Sequence, residues 1–421
     1  MSSKSLARAF AAFRQSLPDH ARLYVAGCSG EPLPLVDLFR DDPELAKGLE
    51  FLGIWIPGVN RTDWASLHSS TSANSIFISP ALRPSFEAGR TRFHPLSYTQ
   101  STTWLSQTQI DAGVIMISPP DADGMVTLGV SADFSQLILA RPDIPLFGIV
   151  NACLQAPPNA ERFPIDRFHT VVEAEHPLAH VSENDLPQTF TQIGARIAAL
   201  CGDGDTLQFG LGNVQQAVLK SLSNHRNLKI HAGMISTPLA DLMDQGAIAE
   251  TEDAVTTGVA IGTTAFYDRA ARDDRIRYAP VTYTHAISTM AQLSNFKAIN
   301  SCIEIDLFGQ ANAEFINGRQ ISGTGGLVDF LRGAAASASG RSVLALASTA
   351  RKGTISRIIP RLPQNATSIS RADVDMVVTE HGVAELKHKS IDARADALIG
   401  IADPSYRDQL ASDWREIRKS L

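Results

Sequence analysis

Cysteine is scarce in this 421-residue sequence, and its four copies lack the spacing of a metal site or a disulfide scaffold. Cys28, Cys153, Cys201 and Cys302 form no C-x-x-C pair and have no histidine at metal-ligand spacing. This pattern argues against a zinc module and against a disulfide-rich secreted domain. We therefore predict free thiols, no metal, and a reducing, cytoplasmic environment.

The chain also lacks basic clusters and long hydrophobic runs. Its 37 Lys and Arg against 44 Asp and Glu give a net charge of -7, and no stretch concentrates the positive charge. Nucleic acid is therefore a poor candidate partner. The most apolar stretches, residues 49–59 and 144–150, are interrupted by Gly and Pro and are shorter than a membrane span. We expect no nucleic acid and no membrane as partners, and we assign these stretches to core strands and loops.

Short β-branched or apolar segments alternate with helical patterns. The predicted strands are residues 22–26, 113–118, 146–150, 206–210 and 374–378. Such alternation predicts an α/β fold with mainly parallel sheets covered by helices. Because 421 residues exceed what one hydrophobic core usually supports, we expect two domains. The polar, proline-broken stretch 173–187 places their boundary, which gives domains 1–185 and 186–421.

The first residues carry an apolar stripe at helical spacing, formed by Leu6, Phe10, Phe13 and Leu17. Basic residues accompany the stripe without an acidic one, as in a transit peptide. The same pattern fits a helix that docks on the domain and is stopped by Pro18. We favour the docked helix.

Three glycine-rich segments stand out. Each half of the chain opens with a strand, a glycine-rich turn and a helical pattern, the turns being Gly27-Cys-Ser-Gly and Gly210-Leu-Gly-Asn, which is compatible with a duplicated unit. A third segment, Ser322-Gly-Thr-Gly-Gly-Leu, precedes an apolar helical start. Glycines let backbone N–H groups approach a ligand, and a helix start favours an anion or a developing oxyanion. An ordinary left-handed turn would use glycine equally well. The predicted cofactor contacts are Gly210, Gly212, Gly323, Gly325, Gly326 and Leu327.

Several motifs follow one another in a fixed order. In the C-terminal half these are residues 298–314, the glycine-rich loop, 348–350, Ser356-Arg-Ile-Ile-Pro and residues 374–387. In the N-terminal half they are Gly30-Glu-Pro and residues 118–131. Together they make residues 25–410 resemble the acetyl-CoA hydrolase and 4-hydroxybutyrate CoA-transferase family. The resemblance implies two CoA-transferase-like domains, coenzyme A or acyl-CoA as the substrate, and a homodimer or larger homo-oligomer.

The resemblance also implies a reaction whose catalytic glutamate is missing from the expected position in this sequence. In class I CoA-transferases a glutamate attacks the acyl-CoA thioester, CoA thiolate opens the resulting anhydride, and an acceptor carboxylate then takes over the CoA. The family segment Ile-His-Ser/Thr-Glu-Met reads Ile230-His-Ala-Gly-Met here, so Gly233 stands where the glutamate is expected. We predict that the standard glutamate-dependent transfer is absent.

Three other segments depart from the family pattern. Leu327 replaces a usual Gln, and residues 151–155 read Asn-Ala-Cys-Leu-Gln instead of Asn-Pro-Asn-Met-Pro. The usual Asp-Gly turn becomes Thr237-Pro238, an N-cap and N1 pair for a helix at 239–245 that Gly246 can close. Such changes indicate altered chemistry rather than one stray substitution; a decayed duplicate without activity is the alternative.

Three residues are the predicted carriers of the altered chemistry. Glu31 lies at the carboxyl end of a strand, where α/β sheets place ligand contacts. Cys28 precedes a helix, whose N-terminus lowers a thiol pKa, although a lone cysteine is more often a small buried residue. His231 lies beside the vacated position, where it would support or orient the substrate. His94 and His285 are further possible general bases.

Other residues in these segments have ordinary structural explanations. Glu304, Glu314 and Glu380 lie in family-like segments, but we expect them to bind a nearby Arg or backbone N–H. An apolar substrate pocket and simple core packing both remain open for a set of large residues, namely Trp55, Trp64, Phe93 and Leu327.

Three functions are open on the sequence. The first is an acyl-CoA-processing enzyme with non-standard chemistry: acyl transfer, thioester hydrolysis or condensation of a specialised acyl group. The second is an ordinary acyl-CoA:carboxylate CoA-transferase whose glutamate comes from elsewhere. The third is a non-catalytic subunit that binds CoA or a partner. We favour the first, because the glycine at position 233 has no side chain that could attack a thioester.

Overall fold

The computed structural model describes residues 3–183, 185–363 and 367–421, which form two compact units. Unit 1 holds the chain up to Ser182 together with Gly233–Thr237 and Thr251–Thr284. Unit 2 holds Glu183–Ala232, Pro238–Glu250 and His285–Leu421. Two segments from the second half of the chain therefore belong to unit 1. A division of the sequence into domains at residue 185 stays a prediction.

Strands and helices alternate along much of the described chain. The strands up to residue 182 are β1 (Arg22–Val25), β2 (Glu50–Leu52), β3 (Ser72–Ser75), β4 (Thr91–Phe93), β5 (Ala112–Ile117), β6 (Met125–Thr127), β7 (Leu146–Val150), β8 (Arg162–Pro164) and β9 (Thr170–Glu173). The helices of the same part are α1 (Ser3–Gln15), α2 (Leu33–Asp41), α3 (Arg83–Glu87), α4 (Tyr98–Gln107) and α5 (Ser135–Leu139).

The later strands are β10 (Thr206–Phe209), β11 (Lys229–Ser236), β12 (Val255–Ile261), β13 (Ile276–Tyr278), β14 (Phe296–Ser301), β15 (Glu304–Asp306), β16 (Ala311–Asn312), β17 (Phe315–Ile316), β18 (Arg319–Gln320), β19 (Arg341–Ala345), β20 (Thr349–Ala350), β21 (Ile355–Ser356), β22 (Ile358–Ile359), β23 (Met376–Thr379) and β24 (Gly382–Glu385). The later helices are α6 (Gln188–Ala198), α7 (Asn213–Ser221), α8 (Pro238–Asp244), α9 (Thr264–Ala270), α10 (Val281–Thr284), α11 (Ile287–Met290), α12 (Leu327–Ala336), α13 (Ile391–Gly400) and α14 (Pro404–Arg418).

Unit 1 contains a sheet with the strand order β4, β3, β2, β1, β5, β7, β9, in which every pairing is parallel. Tyr24 in the centre of β1 is in register with Leu52 and Gly113. Because parallel strands end at the same edge, the turn after β1 and the loop after β2 lie side by side. The predicted sites for ligand contacts in this unit are at that edge.

Unit 2 is built on the same principle. Strand β10 pairs in parallel with β14 on one side and with the first residues of β11 on the other. Strands β14, β19 and β23 follow in parallel, and β24 closes the edge antiparallel to β23. A core cluster that includes Phe296, Leu331, Leu344 and Trp414 joins this sheet to α12, α13 and α14. The α/β class with mainly parallel sheets is confirmed.

The N-terminal stripe forms the predicted helix, α1. Leu6, Phe10 and Phe13 are buried, and the Phe10 ring packs edge-on against Phe39 and Phe147 at 5.1 and 5.5 Å. Helix α8 likewise confirms the helix expected after Thr237. None of the helices within the described ranges is both long and apolar enough to traverse a bilayer.

Candidate active site

The turn after β1 in unit 1 is held shut by one amide side chain, that of Asn60. Its Oδ1 accepts hydrogen bonds from the backbone N–H groups of Cys28 (3.0 Å) and Ile56 (2.9 Å). Its Nδ2 donates to the Cys28 carbonyl (3.1 Å) and to Oε2 of Glu31 (2.9 Å). The loops after β1 and β2 are thereby joined, and the turn 27–31 is entirely buried.

Glu31, a predicted catalytic residue, is fixed in the interior of this turn. Its other oxygen, Oε1, accepts from the Trp64 indole N–H at 3.2 Å, and the residue is 2% exposed. Burial raises the pKa of the Glu31 carboxyl, and hydrogen bonds from Asn60, Thr62 and Trp64 oppose the rise. Both oxygens therefore serve the turn, and a catalytic role for Glu31 stays a prediction.

Cys28 differs from the sequence expectation in one measurable respect. Its side chain is fully buried and its backbone is left-handed, with φ +51°. Burial, followed by the negative charges of Asp133 and Glu31, raises the pKa of the thiol well above its usual value. We expected the following helix to lower that pKa, and here desolvation outweighs the helix. Whether Cys28 acts as a nucleophile stays a prediction, but it starts from a neutral thiol.

Asp133, which sequence reasoning missed, is a buried carboxylic acid in the same unit. Burial raises the pKa of its carboxyl to about 7, and a hydrogen bond from the Phe134 backbone opposes the rise. Its own N–H donates to the Gly258 carbonyl of β12 at 3.3 Å. One signal was available in the sequence, since Asp133 is the sole charged residue between Asp123 and Arg141.

Gly233 lies in β11 and is half-buried. Its carbonyl oxygen stands against β12, where a Cβ added at Gly258 would approach it to 2.8 Å. The Gly258 carbonyl in turn accepts the N–H of Ala132 at 2.9 Å. Strand β12 thus separates Gly233 from the segment that carries Asp133.

The glycine-rich loop of unit 2 packs directly on a buried histidine, His285. A Cβ added at Gly326 would collide with Nε2 of His285, whose ring also contacts Phe330 at 4.4 Å between centroids. Burial, and then the neighbouring His231, lower the pKa of His285 to about 3. His231 is buried as well, with its ring perpendicular to Phe296 at 6.0 Å. The sequence predicts a role for His231 first. In the structure, His285 is the histidine that contacts the glycine-rich loop, and His231 is its neighbour.

The loop itself leads into α12 as predicted. Gly325 is left-handed at φ +53°, Gly326 is the N-cap, and Leu327 begins the helix. The Leu327 N–H donates to the Thr324 carbonyl at 3.2 Å, and its side chain packs against the core of unit 2. Gly323 is buried. Contacts of these residues with CoA stay predictions.

The turn after β10 is open. Gly212, the N-cap of α7, is exposed and left-handed at φ +102°, and nothing lies within 4 Å of an added Cβ. Gly210 is tied to β14 by its N–H, which donates to the Ile299 carbonyl at 3.1 Å. Its contact with CoA, and that of Gly212, likewise stay predictions.

Comparison with known proteins gives this arrangement a family. The acetyl-CoA hydrolase/transferase C-terminal domain matches residues 262–414. The 4-hydroxybutyrate coenzyme A transferase of Clostridium kluyveri is 32% identical over 408 residues, which cover 95% of each chain. The chain belongs to the acetyl-CoA hydrolase and 4-hydroxybutyrate CoA-transferase family. Membership makes it an enzyme of the CoA-transferase and acyl-CoA hydrolase type.

Solved structures of this family share the whole fold. RipA from Yersinia pestis superposes with a TM-score of 0.88 at 28% identity, over 99% of this chain and 100% of the other. The 4-hydroxybutyrate CoA-transferase of Porphyromonas gingivalis superposes with a TM-score of 0.77 at 27% identity, over the full length of both chains. The CoA-transferase-like fold therefore extends from one end of the chain to the other.

The glutamates in family-like segments have structural partners. Glu304 accepts from Asn312 at 3.2 Å, and Glu314 accepts from Gln320 at 3.0 Å. Glu380 accepts from the N–H and the hydroxyl of Ser348, at 2.9 and 2.8 Å. A structural role is predicted for all three; Glu380 accepts a backbone N–H as predicted, whereas Glu304 and Glu314 accept from side-chain amides rather than arginines.

Two of the large aromatic residues of unit 1, Trp55 and Trp64, are buried in its core. Trp55 and Trp64 are 2% and 0% exposed and stack with centroids 6.1 Å apart. Phe93 is half-buried at the end of β4. His94, a further possible base, bonds Asn74 at 2.9 Å, and burial lowers its pKa.

Proposed function

We propose that this protein processes an acyl-CoA thioester without a glutamyl intermediate at position 233. The observation that carries the proposal is the glycine in β11, at the position where the family resemblance places the nucleophile. An acyl-CoA substrate is supported by the names of its relatives, which are CoA transferases and acetyl-CoA hydrolases. A cytoplasmic location is part of the proposal, and the four free cysteines support it.

Hydrolysis is the simplest reaction that needs no side chain at position 233. A water oxygen bonds to the thioester carbonyl carbon while its proton passes to a carboxylate. The carbon–sulfur bond then breaks, and the CoA thiolate takes up a proton. We assign the proton-accepting role to Asp133, because a pKa of about 7 lets its carboxyl exchange a proton near neutrality and because no side-chain donor in the described residues occupies it.

The alternative within the family is ordinary transfer of CoA to a carboxylate acceptor. It is favoured by the relatives at 31–32% identity, which are named CoA transferases. It requires a replacement nucleophile. Cys28 and Glu31 are the predicted candidates; the raised pKa of the Cys28 thiol disfavours the thiolate, and both Glu31 oxygens already accept hydrogen bonds from Asn60 and Trp64.

Acceptor dependence separates the two functions. A panel of acyl-CoAs would be incubated with the purified protein, with and without acetate, while free CoA and exchanged thioesters are measured. We expect CoA release that does not need acetate. Exchange that occurs only with acetate would refute the proposal, and the absence of CoA binding in calorimetry would leave only a partner-binding subunit.

Variants identify the groups involved. Asp133→Asn should lower CoA release by about 100-fold and remove the rise in rate around pH 7, whereas a purely structural change would leave the pH profile in place. Cys28→Ala should retain the activity. Gly233→Glu should give at most a trace of exchange that requires acetate, since a carboxylate acts well only when placed to a fraction of an ångström.

A further inference from the structure

A cavity in unit 2 opens beside the start of α7, with a volume of about 170 Å³. It lies at the carboxyl ends of β14 and β19, the central strands of this sheet. Asn213, Ser301, Cys302, Ala347 and Arg357 are among the residues that line it. A water molecule takes up about 30 Å³ in the liquid, so the cavity is large enough for a small polyatomic group with water around it.

Arg357 supplies this cavity with a positive charge, and no carboxylate in the described part of the chain lies within ion-pair distance of it. Its backbone is fixed, because its N–H donates to the Ser348 carbonyl at 2.8 Å and its carbonyl accepts from Ile305 at 2.9 Å. The guanidinium is half-buried and has no hydrogen bond or ion pair with any residue in the described part of the chain. A half-buried guanidinium without a protein partner keeps its N–H donors available, and a bound oxyanion would accept hydrogen bonds from them.

Neither Cys302 nor Glu304 forms an ion pair or hydrogen bond with the Arg357 guanidinium within the described ranges. Cys302 is 6% exposed, its thiol has no hydrogen-bond partner within the described ranges, and burial raises its pKa to about 12, with Arg357 acting in the opposite direction. The thiol therefore stays neutral near pH 7. Glu304 also acts on Cys302 electrostatically, but its carboxylate is bonded to Asn312 at 3.2 Å.

The start of α7 adds to the positive electrostatic potential in this cavity. Helix α7 has nine residues, no side-chain cap and no acidic residue in its first turn. The N–H groups of Asn213 and Val214 come before the first bond of the helix ladder, so they are available at its positive end. The exposed Ser301 lines the cavity as well and adds a hydroxyl donor.

We propose that this cavity is an oxyanion site in which Arg357 binds a phosphate group of the CoA moiety. The proposal rests on the proposed function for its ligand, although the site itself is argued from unit 2 alone. A carboxylate on the acyl group would present the same chemistry to Arg357. The experiment therefore has to distinguish the two sources.

The test measures affinities of the full-length protein by calorimetry. Arg357→Gln should weaken binding of CoA by about 10- to 100-fold, and Arg357→Lys, which keeps the charge, should lie in between. Arg415→Gln is the matched control, because Arg415 is exposed on α14 and donates within its own helix to Ala411. Pantetheine, which lacks the phosphates, should bind all four proteins alike.

Two outcomes would overturn the proposal. Equal CoA affinities for wild type and Arg357→Gln would show that Arg357 does not bind the CoA moiety. A loss confined to succinyl-CoA, with acetyl-CoA unaffected, would show that Arg357 binds an acyl carboxylate and not a phosphate.

Inorganic phosphate separates this inference from the proposed function. At constant ionic strength it should raise the Tm of wild type and Arg415→Gln, and it should leave that of Arg357→Gln unchanged. A rise in Tm with phosphate in the absence of any CoA binding would refute the proposed function and support the oxyanion site. CoA binding of equal affinity in wild type and Arg357→Gln would refute the oxyanion site and leave the proposed function in place.

Discussion

The two units begin alike, with a parallel strand, a glycine turn and a helix, yet their turns are opposites. In unit 1 the turn 27–31 is fully buried, and Gly27 has an ordinary extended backbone at φ -105°. In unit 2 the turn reaches the surface, and Gly212 has open space but a φ of +102°. One glycine is required by lack of space and the other by backbone conformation.

This difference also separates the chemistry of the two turns. The closed turn surrounds its carboxyl and thiol with protein, so desolvation raises the pKa of both groups. The open turn leads into a cavity lined by Arg357, whose charge is unpaired in the described structure. Similar sequence patterns therefore lead to one site in which the pKa values of the acids are raised and to another that is open to an anion.

Gly27→Ala should have the largest effect on stability. The added Cβ would collide with the carbonyl oxygen of Ile54, a backbone atom that cannot move aside cheaply. We expect a loss of about 4 kcal/mol in the free energy of unfolding, beyond the usual range for overpacking. Urea titration measures this loss. A loss under about 1 kcal/mol would show that the backbone of the closed turn can shift to accommodate the added Cβ.

Asn60→Ala should come next, because it removes the amide that closes the same turn. The N–H groups of Cys28 and Ile56 would lose their acceptor, and Glu31 would lose a donor. We expect a cost of about 3 kcal/mol, since buried polar groups left unpaired cost about 1–3 kcal/mol each and water can reach some of them. Asn159→Ala, at an exposed amide that bonds the Asp274 carbonyl, serves as control. Equal losses of stability in the two variants would contradict the conclusion that the Asn60 hydrogen bonds hold this turn closed.

Asp133→Asn should stabilise the protein above pH 7. Because the carboxyl titrates near 3.8 when unfolded and at about 7 when folded, the folded state alone holds the proton between these values. The free energy of unfolding therefore falls as the pH rises through this window and levels off above it. The shift corresponds to at most about 4 kcal/mol, and the desolvated amide of Asn reduces the gain at pH 8 to about 2 kcal/mol.

Unfolding at pH 5 and pH 8 checks this prediction. The variant should lose the fall that wild type shows between the two values. Asp408→Asn, at an exposed acid on α14, should keep it. A variant that follows the wild-type curve would mean that the Asp133 carboxyl is solvated.

The sequence was sufficient for features that depend on local pattern. The strand predicted at 206–210 is β10, the apolar stripe is α1, and the glycine loop ends where α12 begins. Asn60 and His285 could not be identified in this way. Asn60 acts on Cys28, 32 residues away, and His285 is defined by its contact with Gly326. Contacts between distant segments decide burial, and burial decided the direction of the Cys28 pKa against the local helix effect.

Gly212→Ala should have the smallest effect of the series, and it sharpens the contrast with Gly27. The cost arises from φ +102° alone, a region that side chains other than glycine rarely adopt, and amounts to about 1–2 kcal/mol. Because nothing lies within 4 Å of the added Cβ, Gly212→Gln should cost the same as Gly212→Ala. At Gly27, where space is limiting, Gly27→Gln should cost more than Gly27→Ala. Urea titration of the four variants measures both differences, and a clear dependence on side-chain size at position 212 would mean that the second turn is closed as well.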